Sequence, residues 1–162
     1  MSELPGWLKH ATVWLLLSVA LFLGIQAWQS QEQATRFSVQ GGTLEIRRAP
    51  DGHYHWPGRI NGHPVEFLID TGATGTAIPA ALASELRLRK VGRVRSNTAG
   101  GVVDGSLVVG DLMLQGGVNA ERLRMAALPA LGAPLLGMDV LGRLRWHQDQ
   151  GVLRIELSAE GP

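Results

Sequence analysis

The chain of 162 residues contains no cysteine. Disulfides, thiolate metal sites and a cysteine nucleophile are therefore excluded. Aromatic residues are scarce, at 6%, and neither sign of charge dominates, with a formal net charge of +1. That balance, with no basic stripe interleaved with aromatics, argues against a nucleic-acid partner. No Lys-Ser or Lys-Thr follows the small-residue run Gly72–Gly75, so it is not a phosphate-binding loop. Internal repeats are also missing.

Hydrophobic residues make up 45% of the chain, enough to bury a core. The length allows one domain and an appendage. Twenty-one glycines imply many tight turns and favour an all-β domain over a helical bundle.

The N-terminus reads as the appendage. Ala11–Trp28 has no charge and little polarity, which predicts a membrane-spanning helix. Trp7 and Trp28 stand where interface anchors sit. Lys9 flanks one side and Gln29–Glu32 the other. The expectation is a single-pass anchor, with residues 1–10 on the inner side and the main domain outside. A cleaved signal peptide is the rival, but the run is long for one and lacks an A-x-A site. The polar segment 29–42 reads as a linker, and 43–158 as the domain.

Within the domain, Leu44–Arg48 alternates as a half-buried strand. Asp51-Gly52 signals a turn, and His53–Ile60 the returning strand, with Pro57 and Gly58 marking an edge or bulge. Asn61-Gly62 is a strong hairpin signal. Val65–Ile69 is nearly all apolar and reads as a central strand buried on both faces. It delivers Asp70 at its end. A short strand at Thr76–Ile78 precedes a helix at Pro79–Leu86. Val91–Val109 forms a hairpin with a glycine-rich tip at Asn97–Gly101. Further strands follow at Leu112–Leu114 and Val118–Met125, around Gly116-Gly117. Met138–Leu144 suits one or two helical turns, and Leu153–Leu157 closes the chain as a strand.

A carboxylate at the end of a buried strand is costly unless it is used. Asp70 is followed by Thr71 and Gly72; none of Asp51, Asp104, Asp111, Asp139 and Asp149 has a Thr/Ser-Gly after it. Hydrolysis of a peptide bond asks for one group to deprotonate water and another to protonate the carbonyl. Two carboxylates sharing a proton supply both. With one Asp-Thr-Gly per chain, the pair requires a second copy, hence a symmetric homodimer. Leu153–Leu157 is the natural candidate for its interface sheet. His53 and His55 could ligand a metal, but no cysteine or close carboxylate completes a site; no metal or cofactor is expected.

Phe67–Pro79 (FLIDTGATGTAIP) and Leu135–Leu144 (LLGMDVLGRL) together resemble the retropepsin-like aspartic proteases, closest to the membrane-anchored, single-lobed bacterial type. The resemblance covers about Leu44 to Leu157. It implies a small closed β-barrel-like domain with one or two short helices. It implies an aspartic endopeptidase acting on polypeptides, with Asp70 catalytic and Thr71, Gly72 and Ala73 supporting the active loop. Thr98, Ala99, Gly100 and Gly101 would form the flap tip over substrate. Leu135, Leu136 and Gly137 would form the crossover beneath the loop. Thr74 stands where retroviral members often carry an acid, and the motif they have around Met138-Asp139 is not matched. The alternative is a proteolytically silent binding or scaffold domain on the same fold.

Overall fold

The computed structural model describes residues 6–34, 37–40, 42–98 and 101–157. It divides into two compact units, residues 1–37 and 38–162.

The first unit holds one helix, α1 (Gly6–Ala34). Its described side chains expose apolar groups all round, from Val13 to Ile25, with Trp14 70% exposed. Among the described residues, no helix is long and apolar enough to cross a membrane. The span expected over Ala11–Trp28 is therefore not found. The helix also runs on to Ala34, and a strand, β1 (Phe37–Gln40), occupies part of the segment read as linker.

The second unit is built from tight hairpins. β2 (Thr43–Arg47) leads to β3 (His55–Ile60), which turns at Asn61-Gly62 into β4 (His63–Ile69). Asn61 and Gly62 have φ of 48° and 83°, the two positive values that a type I′ hairpin requires. β4 ends at the Asp70 loop. Then come β5 (Ala77–Pro79) and α2 (Ala80–Glu85), with Pro79 as the residue that enters the helix. β6 (Arg89–Thr98), β7 (Gly101–Leu114) and β8 (Asn119–Leu128) form a long antiparallel meander. The chain closes with β9 (Leu135–Leu136), α3 (Met138–Leu141), β10 (Arg145–Asp149) and β11 (Val152–Glu156).

Seven strands pair in the order β3-β4-β9-β5-β8-β7-β6, and β3 also pairs β7. That extra pairing closes β3, β4, β9, β5, β8 and β7 into a ring, with β6 paired to β7 alone. A closed, mostly β domain is what the sequence led us to expect. Its core includes Trp56, Ile60, Phe67, Ile78, Met125 and Leu136, all fully buried. β4 departs from expectation. Val65 and Phe67 are buried but Glu66 is exposed, so the strand is central in pairing yet packs on one face only.

A second sheet has the order β1-β2-β11-β10. Leu44, Ile46, Leu153 and Ile155 line its inner face. The strand expected to form a subunit interface, Leu153–Leu157, is β11, and it is paired on both sides, with β2 and with β10. Its backbone groups are already used, so it cannot accept a partner strand. The edges of this sheet are β1 and β10.

The indole N–H of Trp56 donates to the carbonyl of Gln115 at 2.8 Å. The nearby Tyr54 hydroxyl is buried and has no hydrogen-bond partner among the described residues. Leaving such a group unpaired costs about 1–3 kcal/mol. Tyr54→Phe is expected to leave stability unchanged or raise it in urea unfolding. Trp56→Phe, which removes the hydrogen bond to the exposed Gln115, is expected to lower it by about 0.5–1.5 kcal/mol.

Candidate active site

Asp70 is delivered by β4 and held by β9. β9 lies parallel to β4, pairing Leu68 with Leu135 and Ile69 with Leu136. It also meets β5, at Ala77. The strand thus lies between the two arms of the Asp70 loop. The amide of Asp70 donates to Leu136 O at 3.1 Å, and that of Ile69 to Tyr54 O at 2.9 Å. Strand pairing on both sides fixes where the carboxylate emerges.

The loop turns at once. Ala73 N donates to Asp70 O at 3.2 Å, and Gly72 N donates to Asp70 Oδ1 at 2.9 Å. Gly72 therefore supplies the backbone donation to the carboxylate expected of it. Asp70 is half-buried, while Thr71 and Gly72 are exposed. The carboxylate sits at an accessible lip rather than inside the core.

Beneath the loop, α3 is clamped to it. Met138 N donates to Ala73 O at 2.9 Å and Asp139 N to Thr74 O at 3.1 Å. The approach is so close that only glycine fits. A Cβ on Gly137 would fall inside the backbone of Gly75, 2.6 Å from its carbonyl oxygen. Leu135-Leu136-Gly137 thus crosses directly against the Asp70 loop.

Asp139 completes the clamp. Its Oδ1 accepts from Thr76 N at 3.0 Å, Thr76 Oγ1 at 2.8 Å and Val140 N at 3.0 Å. Thr76 is 1% exposed, and its Oγ1 also accepts from Gly137 N at 3.3 Å. Asp139 is therefore a tie between loop and helix, not a second reacting acid. Spacing alone could not reveal a contact that spans 63 residues.

The flap expectation falls partly outside the described residues. β6 and β7 form the hairpin, with Thr98 opposite Gly101. Ala99 and Gly100 lie outside the described residues, and so does the side chain of Thr98. Gly101 has φ of 107°, a value that favours glycine. Lower on the arms, Arg93, Val94, Arg95, Asp104 and Gly105 line a concavity of about 460 Å³. Asp70 is not among its lining residues. The Arg95–Asp104 ion pair there, at 2.9 Å, is about three-quarters exposed on both sides and adds little stability.

The histidine pair is engaged locally. Asp51 Oδ1 accepts from His53 N at 3.0 Å, and Asp51 Oδ2 lies 2.7 Å from His55 Nε2. The His53 amide, then the His55 ring, hold the Asp51 carboxyl below its ordinary value. Among the described residues, no three His, Asp or Glu side chains gather as metal ligands would.

Gly137→Ala should displace the loop and abolish any activity that depends on it. Thr76→Val keeps the side-chain shape but removes the hydroxyl shared by Asp139 and Gly137. Its expected cost is about 1–3 kcal/mol, read as a lower urea midpoint with the slope unchanged.

Known proteins place this arrangement. The solved retropepsin-like aspartic protease from Rickettsia conorii is similar in fold, with a TM-score of 0.58 at 22% identity. The match covers 75% of this chain and 94% of that one. The EIAV protease, solved with the inhibitor HBY-793, matches with a TM-score of 0.52 at 22% identity, over 60% of this chain and 93% of its own. No curated protein matches the chain by sequence. The family model described as aspartyl protease matches residues 56–140, just over half of the chain. That stretch holds β4, the Asp70 loop, its Gly137 crossover and Asp139, and by it the chain belongs to the aspartyl protease family.

Proposed function

We propose that the protein is an aspartic endopeptidase whose reacting pair is Asp70 and the Asp70 of a second copy. The observation that carries this reading is the contrast between the chain's two loop aspartates. Asp139 gives one oxygen to three donors within the chain. Asp70 accepts one, from Gly72, at an accessible lip. A carboxylate held in place but left open to solvent can bind and activate water.

One carboxylate takes a proton from that water as its oxygen adds to the scissile carbonyl carbon. The other gives its proton to the carbonyl oxygen. Collapse of the resulting diol breaks the C–N bond, and the leaving nitrogen takes a proton back. Each chain has a single Asp-Thr-Gly, so the pair is completed by symmetry. In this reading Thr71 contacts the partner loop through its hydroxyl. The tip at Thr98–Gly101 closes over an extended polypeptide.

Asp70→Asn should lower peptide cleavage by about 10²–10⁴-fold or more, with the urea unfolding midpoint little changed. Cleavage by the wild-type chain should follow a bell-shaped pH profile, since the pair works with one shared proton. Undiminished cleavage by Asp70→Asn would overturn the assignment.

A further inference from the structure

We infer that the outer face of the β6–β8 meander is a docking surface for an acidic polypeptide segment, one that lies outside the stretch being cut. This deepens the proposed function and rests on it for the role of that polypeptide as substrate. The binding itself is tested apart from cleavage.

Charge is spread unevenly along the chain. Residues 87–128 carry seven Arg and Lys against three Asp and Glu, a net of +4 in a chain whose total is +1. The rest of the chain is therefore net acidic. Among the described residues, one of these seven cations has an ion-pair partner, Arg95 with Asp104.

Strand register gathers part of this charge. Arg89 of β6 stands opposite Val109 of β7, and Val109 opposite Arg124 of β8. Val108 and its β8 partner Met125 are buried, so by alternation Val109, Arg89 and Arg124 face away from the core. Both arginines are exposed and Val109 is half-buried. The row is an apolar floor between two guanidinium groups. Neighbouring strands lie about 4.8 Å apart, which sets the two arginine backbones about 10 Å apart, close to one Debye length at about 0.1 M salt. Left unneutralised, the two cations repel.

The nearby acids do not neutralise them. Asp111 Oδ1 accepts from the Arg122 amide at 2.8 Å, and the Asp111 amide donates to Asn61 Oδ1 at 2.8 Å. The first contact holds Arg122 at φ of 51°, in the irregular stretch of β8 that faces the register shift between Gly110 and Leu112. Neither Asp111 nor Glu121 forms an ion pair among the described residues. Protection of a free edge accounts for Arg89, since β6 pairs with β7 alone. It does not account for Arg124, because β8 lies between β5 and β7.

The composition selects the partner. A guanidinium is a rigid fork of donors that matches a carboxylate. Residues 87–128 contain no Phe, Trp or Tyr, so there is no platform for a stacked base and no aromatic anchor for a lipid interface. Acidic side chains on an extended polypeptide meet the charge without needing either. The row also lies nine residues along β6 from Thr98, away from the hairpin tip.

The test uses the full chain in non-ionic detergent, which covers the exposed apolar side chains of α1. Asp70→Asn is the background, so that nothing is cut. Binding of fluorescein-labelled octaglutamate is read by anisotropy and is expected to weaken steeply as salt rises. Arg89→Gln with Arg124→Gln should raise its Kd by about tenfold, the order expected for lost charge-assisted contacts. Arg47→Gln with Arg145→Gln removes the same charge from exposed positions of the four-stranded sheet and should leave Kd nearly unmoved. Equal loss in both pairs, or loss in neither, overturns the proposal. So does an Arg89/Arg124 effect on phosphatidylserine vesicles or single-stranded DNA with octaglutamate binding unmoved.

Cleavage gives a second reading. A peptide that the wild-type chain cuts is extended by eight Glu or by eight Gln. The Glu tail should lower KM by about tenfold with kcat unchanged, and that advantage should vanish in the Arg89→Gln, Arg124→Gln chain. A cleaving enzyme indifferent to the Glu tail overturns the proposal. Octaglutamate binding that needs both arginines, in a chain that cuts no peptide, leaves the docking surface standing and refutes the protease reading.

Discussion

The site depends on one close approach, the backbone of Gly137 against that of Gly75. Two chain segments more than sixty residues apart in sequence come nearer than any side chain would permit. This proximity lets α3 donate two amides to loop carbonyls at Ala73 and Thr74. It also brings Asp139 within reach of Thr76. There its Oδ1 accepts from Thr76 N, Thr76 Oγ1 and Val140 N. The loop is therefore fixed by backbone contacts and by one carboxylate oxygen that accepts three hydrogen bonds. None of these uses the Asp70 side chain.

Two aspartates in one small region thus have opposite assignments. Asp139 is bound by donors from both loop and helix, and its value is positional. Asp70 is fixed through its main chain, between β3 and β9, and keeps its carboxylate at the surface with the Gly72 amide as its intrachain donor. Rigidity of the backbone with openness of the side chain is what preorganisation of a reacting group requires.

Much of this is legible in the amino-acid sequence. Asn61-Gly62 announced its hairpin, because two positive φ values in succession demand such residues. The apolar run into Asp-Thr-Gly announced its strand, and Leu-Leu-Gly its crossover. What escaped was non-local or weakly patterned. β10 has one apolar residue, Trp146, so its alternation is too faint to mark a strand. The closing strand at Leu153–Leu157 alternates well, but alternation does not say whether a strand is an edge or a centre. That depends on what precedes it, and β10 and β2 occupy both its sides. The double burial expected of Val65–Ile69 failed because Glu66 points to solvent. Asp139 showed only as a helix-start acid, since its loop partners are distant in sequence. The uncharged N-terminal run showed a helix correctly, but among the described residues no helix is long and apolar enough to cross a membrane.

Topology links the edge strand to the chemistry. α3 is bound to the Asp70 loop at one end and opens directly through Gly142–Leu144 into β10. A displacement of β10 is therefore transmitted to Ala73 and Thr74 through a short, hydrogen-bonded segment rather than through a flexible linker.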